Sequence, residues 1–475
     1  MLYTEGIFLW LLIPVAIILY GMPSNLKVLW LLIVSYLFYA TWSTGYLVLL
    51  LAISIVTYIA PLLIFRASSE TYKKIFLSLS VFLLLLILCV FKYFNLLEIL
   101  VENIGFKIEL PEILVPIGIS YFLFKAISYI VDVYWETIEP EINPFRVFLF
   151  LSFFPQILSG PIQRAPDFFS QLRSINFGIL IWPQIEIALG YLLLGMFEKL
   201  VLADHIDPLV QELDKGGIDN SLMALFANYA YAVQLFTDFA GLTHIAIGLG
   251  LLFGITAPPN FARPFGATNM QIFWMRWHMS LTSWLKEYLF MPLMMKLRGL
   301  GMIGLWFCIL VNMLLIGVWH GSSLTFVMFG LINAVLLIIT IATTKIRNKF
   351  FKKFNKLNAI GNSIGVILTF NLVVFALTFF RKSSISEALD SINAVLLFNI
   401  NNNAWKALTY DVWVPGLMAS LIGFELGAGF LGLYKFGPWI TNSSRSFSFI
   451  LTYSIGAILV ILLASNGTQF IYARF

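Results

Sequence analysis

The stretch of sequence that decides the fold lies at residues 301–343 and reads GMIGLWFCILVNMLLIGVWHGSSLTFVMFGLINAVLLIITIAT. It holds two apolar runs, 301–318 and 322–343, and contains no Asp, Glu, Lys or Arg. Each run approaches or exceeds the roughly 20 apolar residues that a helix needs to cross a bilayer. The stretch therefore predicts two membrane-spanning helices that meet at a short break, Trp319-His320-Gly321.

The whole chain has the same character. Of its 475 residues, 60% are hydrophobic and only 11% are charged, which excludes a soluble multidomain protein and a protein with a single anchor. The sequence predicts an all-α polytopic membrane protein with about 12 transmembrane helices, built as one domain over residues 1–475. The ten other predicted spans are 7–21, 28–41, 45–65, 75–94, 113–131, 180–201, 222–254, 361–380, 411–434 and 447–464.

The distribution of basic residues predicts the orientation of these spans. The connection 345–358 carries six lysines and arginines and no acid, so we expect it to be a cytoplasmic basic loop. Counting spans outward from it places the segment 257–298 inside and the loops 95–112 and 381–410 outside. Both termini are then extracytoplasmic. The pair Arg381-Lys382, at the start of an outer loop, is the exception to the positive-inside rule.

Two segments do not fit straight spans. Residues 145–172 are apolar but interrupted by Pro155, Gly160 and Pro161, which favours a re-entrant segment. Residues 222–254 are interrupted near Asp238, which allows one long helix or two short ones. Because irregular backbone at membrane depth has to be buried in protein or line a wet cavity, we expect these segments to surround a central funnel or tunnel.

The chain has four histidines, and two of them directly follow a tryptophan. An ionisable residue within an apolar region is costly, so His320, at the break between two spans, is a candidate for function. The alternative is a neutral imidazole satisfied by its surroundings. Its neighbours Gly317 and Gly321 are expected to open the backbone and leave the ring reachable. His278 lies in the predicted cytoplasmic segment, where a functional and a structural role are both open.

Three other polar residues have weaker claims. An unpaired Asp238 carboxylate in this apolar region would cost much free energy. We therefore expect it to pair with an arginine, a histidine or a helix N-terminus and to orient the site. His244 follows as a supporting residue or a packing residue, and His205 is expected to be solvated or capping.

Several kinds of site are excluded. There is no His-x-x-x-His and no Cys-x-x-Cys, so no metal site is expected. A net charge of +5, dispersed among apolar runs, gives no support for nucleic-acid binding. Gly248-Leu249-Gly250 lacks the third glycine of a dinucleotide loop and indicates close helix packing instead. Cys89 and Cys308 lie in apolar runs and are not expected to form a disulfide.

At these residues the sequence resembles the membrane-bound O-acyltransferase (MBOAT) family, in the branch of the alginate and peptidoglycan O-acetylation membrane proteins. The resemblance covers about residues 5–380 and the aromatic C-terminal tail. It rests on Phe153-Phe154-Pro155-Gln156 with Gly160-Pro161-Ile162, and on residues 236–241, 246–250, 273–281, 283–292 and 317–321. The branch usually has Asp-Phe-Ser-Gly-Tyr-Ser-Asp at 238–244 and a second arginine at 275, where this chain has His244 and Met275.

The resemblance implies that His320 is the catalytic histidine and that His278 is the second characteristic position. Acyl transfer from a thioester requires a base near neutrality, which an imidazole supplies. His320 would deprotonate the attacking hydroxyl or would itself take the acyl group. Supporting or substrate-binding positions are expected at Trp319, Asp238, Arg276, Trp277 and Asn312.

The implied activity is transfer of an acetyl group from a cytoplasmic thioester, acetyl-CoA, across a bacterial inner membrane to an envelope polysaccharide or peptidoglycan. No bound cofactor is expected. Five basic residues are candidates for a cytoplasmic surface that binds coenzyme A phosphates, although positive-inside charge also explains them: Arg263, Arg276, Lys286, Lys296 and Arg298. Besides membrane lipid, the expected partner is an extracytoplasmic SGNH-type acetyltransferase or esterase. The alternatives are a D-alanylation branch that uses an acyl carrier protein, and a transporter or flippase of a lipid-linked glycan.

Overall fold

The computed structural model of this protein describes residues 6–103, 114–174, 177, 182–215, 220–353, 358–397, 413–430 and 447–464. Throughout these residues the chain forms helices and turns and no β-strand. The α-helices are α1 (Gly6–Gly21), α2 (Ser24–Ala40), α3 (Thr44–Arg66), α4 (Glu70–Asn103), α5 (Ile119–Tyr134), α6 (Pro144–Ser152), α7 (Ala165–Arg173), α8 (Trp182–Met196), α9 (Asp204–Lys215), α10 (Ser221–Leu252), α11 (Met270–Trp274), α12 (Met279–Leu285), α13 (Met291–Leu297), α14 (Gly301–His320), α15 (Leu324–Lys353), α16 (Asn358–Arg381), α17 (Ile385–Leu396), α18 (Trp413–Phe430) and α19 (Phe447–Leu463). Residues Phe197–Ala203 and Lys286–Phe290 are π-helical, and Pro264–Gly266 and Arg298–Leu300 form 3₁₀ turns.

Each of the twelve predicted apolar runs overlaps one of these helices. Among the described residues, six helical stretches are long and apolar enough to cross a membrane, and shorter apolar helices occur at Trp10–Gly21, Ser24–Ala40 and Trp413–Gly427. The all-helical class and the multi-pass membrane character are therefore confirmed. The number of spans, the sidedness of the termini and the central funnel stay predictions.

The helices differ from the predicted spans mainly at their ends. The segment predicted as a basic loop from 345 is helical as far as Lys353, because α15 is one helix of 30 residues. Helix α4 likewise continues to Asn103, into the predicted loop 95–112. Neither extension contains glycine or proline, so the backbone has no reason to stop where hydropathy falls. Of the predicted loop 381–410, residues Ile385–Leu396 form a helix, and 398–410 lie outside the described residues.

The chain divides into two compact units. The first comprises Met1–Gly195, Leu242–Pro259 and Ile440–Tyr453, and the second comprises Met196–Gly241, Asn260–Trp439 and Ser454–Phe475. Helix α10 is continuous through Asp238, which settles the choice between one helix and two in favour of one.

In the first unit, the predicted re-entrant segment is built from two short helices and a break. Helix α6 ends at Ser152, residues 153–164 are non-helical, and α7 begins at Ala165. Four phenylalanines of this segment, Phe150, Phe153, Phe168 and Phe169, pack with ring centroids 5.4 to 6.4 Å apart. This aromatic cluster holds the two helices together where the backbone between them is irregular.

A buried polar chain supports the same break. Lys125 of α5 donates hydrogen bonds to the carbonyl oxygen of Phe150 (3.2 Å) and to Oε1 of Gln156 (2.8 Å). Gln156 in turn donates to Gln163 (2.8 Å), and Gln163 donates to the carbonyl of Thr256 (2.8 Å). Since unpaired polar groups are costly in an apolar interior, this chain stabilises the non-helical segment.

In the second unit, α14 packs closely on α15. A Cβ atom at Gly317 would lie 2.2 Å from the carbonyl oxygen of Phe326, and one at Gly330 would lie 2.5 Å from that of Met313. Small residues let two helix backbones approach in this way. The function that we had expected for Gly317, opening of the backbone, is therefore wrong, because the residue is helical and serves close packing.

The two cations that are the exception to the predicted orientation share one acidic partner. Asp214 lies 3.1 Å from Arg381 and 3.0 Å from Lys382, so its carboxylate offsets part of their positive charge.

Glycine at position 118 is required by the turn that starts α5. Its φ is +77°, and a Cβ atom there would lie 1.9 Å from the carbonyl oxygen of Ile157. We predict that Gly118→Ala destabilises the protein by at least about 2 kcal/mol, because strain and steric clash add. The measurement is the midpoint of heat-induced unfolding in detergent. Gly45→Ala is the control, since a Cβ there meets only the Ser43 hydroxyl at 3.6 Å. Equal midpoints for the two variants would contradict the prediction.

Candidate functional site

His320 is the last residue of α14. The helix ends there because Gly321 is extended, and a helix C-terminus favours a side chain that can carry positive charge. The ring is only 6% exposed, so the expectation of an openly reachable imidazole is wrong in this conformation. Its centroid lies 4.7 Å from that of Phe380, 6.1 Å from that of Phe329 and 6.4 Å from that of Phe326. Helices α15 and α16 thus supply an aromatic enclosure around the imidazole.

His278 lies at the start of α12 in a strained conformation, with φ at +43°. Asn260 holds the turn, because its carbonyl oxygen accepts from the amide of Met279 (2.9 Å) and its side chain accepts from the amide of Ser280 (3.2 Å). A left-handed backbone at a non-glycine residue costs free energy, and such strain often occurs at functional sites.

The two histidines share one neighbour, Trp319. The Trp319 centroid is 5.7 Å from the ring of His278 and 4.7 Å from the ring of His320. The opposite side of His278 packs edge-on against Phe239, at 4.6 Å. The structure therefore brings together three of the residues singled out from the sequence, His278, Trp319 and His320.

The environment of His278 is apolar. The residue is 2% exposed, and burial lowers the pKa of His278 to about 3. Its Nε2 atom has no hydrogen-bond partner among the residues that the structure describes. His278 is thus a neutral imidazole whose second nitrogen is available to a ligand.

Asn312 also has a buried polar atom without a hydrogen-bond partner among the described residues. It lies on α14 two turns before Trp319, is 8% exposed, and its Oδ1 atom finds no partner within the described part of the chain. Because a buried amide without a partner is costly, it is a candidate for contact with a substrate.

Asp238 pairs with a residue that we had not considered. Its carboxylate lies 2.8 Å from Nζ of Lys199, which also contacts Asp204 at 2.7 Å. All three side chains are at most 3% exposed. The expected partner types, an arginine, a histidine or a helix N-terminus, were therefore wrong. The sequence feature that could have revealed this pairing is a lysine, Lys199, inside the apolar run 180–201. Asp238 precedes Phe239, so this ion pair fixes the part of α10 that contacts His278.

Trp277 and Arg276 flank the strained turn. Trp277 packs between Phe261 and Phe273, with centroids at 5.2 and 5.5 Å. Arg276 is half-buried, and its carbonyl oxygen accepts from the amide of Ala262 at 3.0 Å. Both residues thereby help to hold the backbone at 276–278.

The expected basic surface is smaller than we predicted. Lys286, Lys296 and Arg298 are exposed, but Arg263 is 8% exposed and lies over the ring of Phe424, 5.0 Å from its centroid. This burial removes Arg263 from the predicted surface.

The other two histidines lie apart from this group. His244 belongs to the first unit and packs on Tyr191, with ring centroids 5.6 Å apart. His205 contacts the carbonyl of Val201 through Nδ1 at 3.1 Å and packs against Trp413 at 4.7 Å.

Comparison with known proteins identifies the family of this chain. The family model for the membrane-bound O-acyltransferase family matches residues 34–380. A peptidoglycan O-acetyltransferase of Helicobacter pylori is 30% identical over 439 residues, which cover 84% of this chain and 80% of that protein. A probable alginate O-acetylase AlgI of Pseudomonas aeruginosa is 30% identical over 451 residues, 92% of this chain and 82% of that protein.

A teichoic acid D-alanyltransferase of Streptococcus thermophilus is 30% identical over 282 residues, which cover 56% of this chain and 68% of that protein. The family match includes both His278 and His320. The chain is an enzyme, and it belongs to the membrane-bound O-acyltransferase family.

Proposed function

We propose that this protein moves an acetyl group from a cytoplasmic thioester, acetyl-CoA, to a hydroxyl acceptor on the outer side of a bacterial inner membrane. The observation that carries the proposal is the contact of Trp319 with both His278 and His320 inside a buried site. The relatives named for O-acetylation of peptidoglycan and alginate support an envelope polysaccharide or peptidoglycan as the final acceptor.

The chemistry follows from an imidazole in an enclosed site. His320 takes the proton of the acceptor hydroxyl as its oxygen attacks the thioester carbon. The carbon–sulfur bond then breaks, and the proton passes from the imidazole to the thiolate. In the alternative route the imidazole nitrogen attacks first and holds the acyl group until the hydroxyl displaces it. His278 remains neutral, so it donates or accepts one hydrogen bond without adding charge to the site.

The donor would approach from the cytoplasm. Under the predicted topology, the exposed Lys286, Lys296 and Arg298 face that side and suit the phosphates of coenzyme A. Arg276 and His278 then line the route, with His278 beside Trp319 and therefore close to His320. The separate SGNH-type protein expected outside completes modification of the polymer.

The D-alanyltransferase relatives favour a second candidate in the same class. Here an acyl carrier protein would deliver a D-alanyl group to the same basic surface. The observation that separates the two is the donor: acetyl transfer from free acetyl-CoA supports the first, and dependence on a carrier protein supports the second. Family membership does not support the flippase alternative.

Replacement of His320 tests the catalytic assignment. We predict that His320→Ala lowers acetylation of the cell-surface polymer by about 100-fold or more, because loss of a general base or a nucleophile removes the reacting group. Protein abundance in the membrane should be unchanged. His205→Ala is the matched control and should keep activity. Acetylation above about one tenth of wild type in His320→Ala would contradict the role.

The burial of His278 predicts a particular pH dependence. Since its pKa is lowered to about 3, the imidazole stays neutral between about pH 5 and 9 and contributes no limb to the pH profile of activity. We predict that His278→Gln lowers acetyl-CoA turnover about tenfold while the shape of its pH profile is retained.

The measurement is kcat/KM for acetyl-CoA against pH, normalised to folded protein. A limb that disappears in the His278→Gln protein would show that His278 titrates in this range. Unchanged donor affinity and rate would contradict its place on the donor route.

The proposed sidedness can be tested by cysteine labelling in a variant without Cys89 and Cys308. Lys352→Cys should be protected from an impermeant maleimide in intact cells, whereas Ile400→Cys should react, because the positive-inside rule places them on opposite sides. Disruption of the membrane should expose position 352. Equal labelling at both positions in intact cells would refute both the map and the extracytoplasmic termini.

A further inference from the structure

Helix α18 carries a single ionisable residue, Glu425, and its side chain is only 4% exposed. The apolar run 411–434 therefore contains a buried carboxyl group that the proposed chemistry does not use. An ionisable side chain within an apolar helix of a membrane protein is costly, so a functional role is the first hypothesis for it.

The carboxylate faces the 3₁₀ turn Pro264–Gly266. Helix α18 packs on this turn, and the backbone N–H of Phe265 donates a hydrogen bond to the Glu425 carboxylate. A second contact lies beside the first, because the guanidinium of Arg263 lies over the ring of Phe424, 5.0 Å from its centroid. Two neighbouring residues of α18 thus hold this short stretch of backbone.

Three further charged groups of the second unit lie near enough to Glu425 to act on it electrostatically. Arg263 and Arg276 attract the carboxylate, and Glu198 repels it. With Glu425 itself they amount to two positive and two negative charges. The Oε2 atom of Glu425 has no hydrogen-bond partner among the described residues. The two arginines and the Phe265 N–H therefore have to stabilise the buried charge.

Glu198 connects this group of charges to the other buried network of the site. It belongs to the π-helical segment Phe197–Ala203 and directly precedes Lys199. Lys199 pairs with Asp238 and fixes the part of α10 that contacts His278. Adjacent residues of one π-helical turn thus serve both networks, and such turns occur frequently at functional sites.

The turn at Phe265 is joined to the strained backbone of His278. The amide of Ala262 donates to the carbonyl of Arg276 at 3.0 Å, and the ring of Phe265 lies 6.3 Å from that of Trp277. A left-handed conformation at a non-glycine residue persists only where the surrounding structure determines it. A displacement of Phe265 or Arg276 would therefore change the backbone at His278.

We propose that Glu425 is a positioning residue of the acyl-transfer site. Its carboxylate holds the turn at Phe265 and attracts Arg276, and through them it maintains the left-handed backbone that places His278 against Trp319. The inference rests on the proposed function, because it assumes that His278 lies on the donor route. It makes α18, which follows the residues matched by the family model, a part of the site.

Amide hydrogen exchange of the full-length protein in detergent tests the structural step. Glu425→Gln keeps the shape and an acceptor for the Phe265 N–H and removes the charge. We expect the amides of residues 276–280 to exchange at least about tenfold faster in this variant, because the backbone there loses part of its support.

Asp207→Asn is the matched control. It removes another buried carboxylate of the second unit, one that accepts from Gln234 at 2.6 Å. Exchange at residues 276–280 should stay as in wild type.

A double-mutant cycle with His278 tests the functional step. We expect Glu425→Gln to lower kcat/KM for acetyl-CoA about fivefold per folded protein. In the His278→Gln background the same substitution should lower it by less than about twofold, because Glu425 acts through the imidazole that is then missing. Asp207→Asn should change kcat/KM by less than about twofold in either background.

Unchanged exchange at residues 276–280 in Glu425→Gln, or the same loss of kcat/KM in both backgrounds, would overturn the proposal. If Glu425→Gln does not accumulate in the membrane, Glu425→Asp takes its place. That variant keeps the charge and withdraws it from Phe265 by one methylene, and the same two measurements decide.

The exchange measurement also separates this proposal from the proposed function. Faster exchange in Glu425→Gln, without any acetyl-CoA turnover in wild type, would refute the acetyl-transfer proposal and leave the positioning of His278 in place. Normal, His320-dependent turnover with unchanged exchange would refute the role of Glu425 alone.

Discussion

The approach of α14 to α15 at Gly317 is the constraint on which the site depends. With 2.2 Å between the carbonyl oxygen of Phe326 and the position that a Cβ atom would take, no side chain other than hydrogen fits at residue 317. The close contact puts Phe326 and Phe329 against the imidazole of His320, and Phe380 from α16 closes another side. A larger residue at 317 would separate the helices and let water reach a ring that is now 6% exposed.

Both units contain a buried lysine, and each satisfies it differently. Lys125 is paired with an amide and a carbonyl and faces the rings of Phe150 and Phe168. Lys199 lies between two carboxylates. The first arrangement stabilises a break in helical structure, and the second fixes α10 next to the residue that packs on His278. An unpaired buried charge costs far more free energy than a paired one. Removing the partners of either lysine should therefore change the neighbouring backbone more than it changes the helices as a whole.

The sequence was informative wherever a single residue type carries a strong physical preference. Within the described residues, apolar runs identified every long helix. The cost of burying an imidazole pointed to His320, and the family resemblance pointed to His278. The sequence did not reveal the partner of Asp238, since Lys199 is 39 positions away and the pairing depends on how α10 packs. It also misplaced Arg263, which is buried over the ring of Phe424, 161 positions along the chain, and does not lie on the surface. Hydropathy misjudged the ends of α4 and α15 because it reports on the solvent around a residue, whereas a helix ends only where the backbone loses its hydrogen bonds or meets glycine or proline.

Under the proposed function, the position of His320 along α14 limits how the acyl group travels. The helix has 20 residues and is about 30 Å long, close to the thickness of the hydrocarbon core. Its first residue, Gly301, follows the exposed Arg298, and its last is His320. If the basic surface near Arg298 binds the donor's phosphates, the thioester has to reach along the helix before it meets the imidazole. The acyl group then crosses most of the membrane while still attached to the donor, and the histidine acts near the outer end of the route. This arrangement gives a use to the uncommitted Asn312, two turns before Trp319, and to the neutral His278, which packs on Trp319 at the His320 end. They can hydrogen-bond a polar donor arm inside an apolar protein without adding a charge that would have to be neutralised.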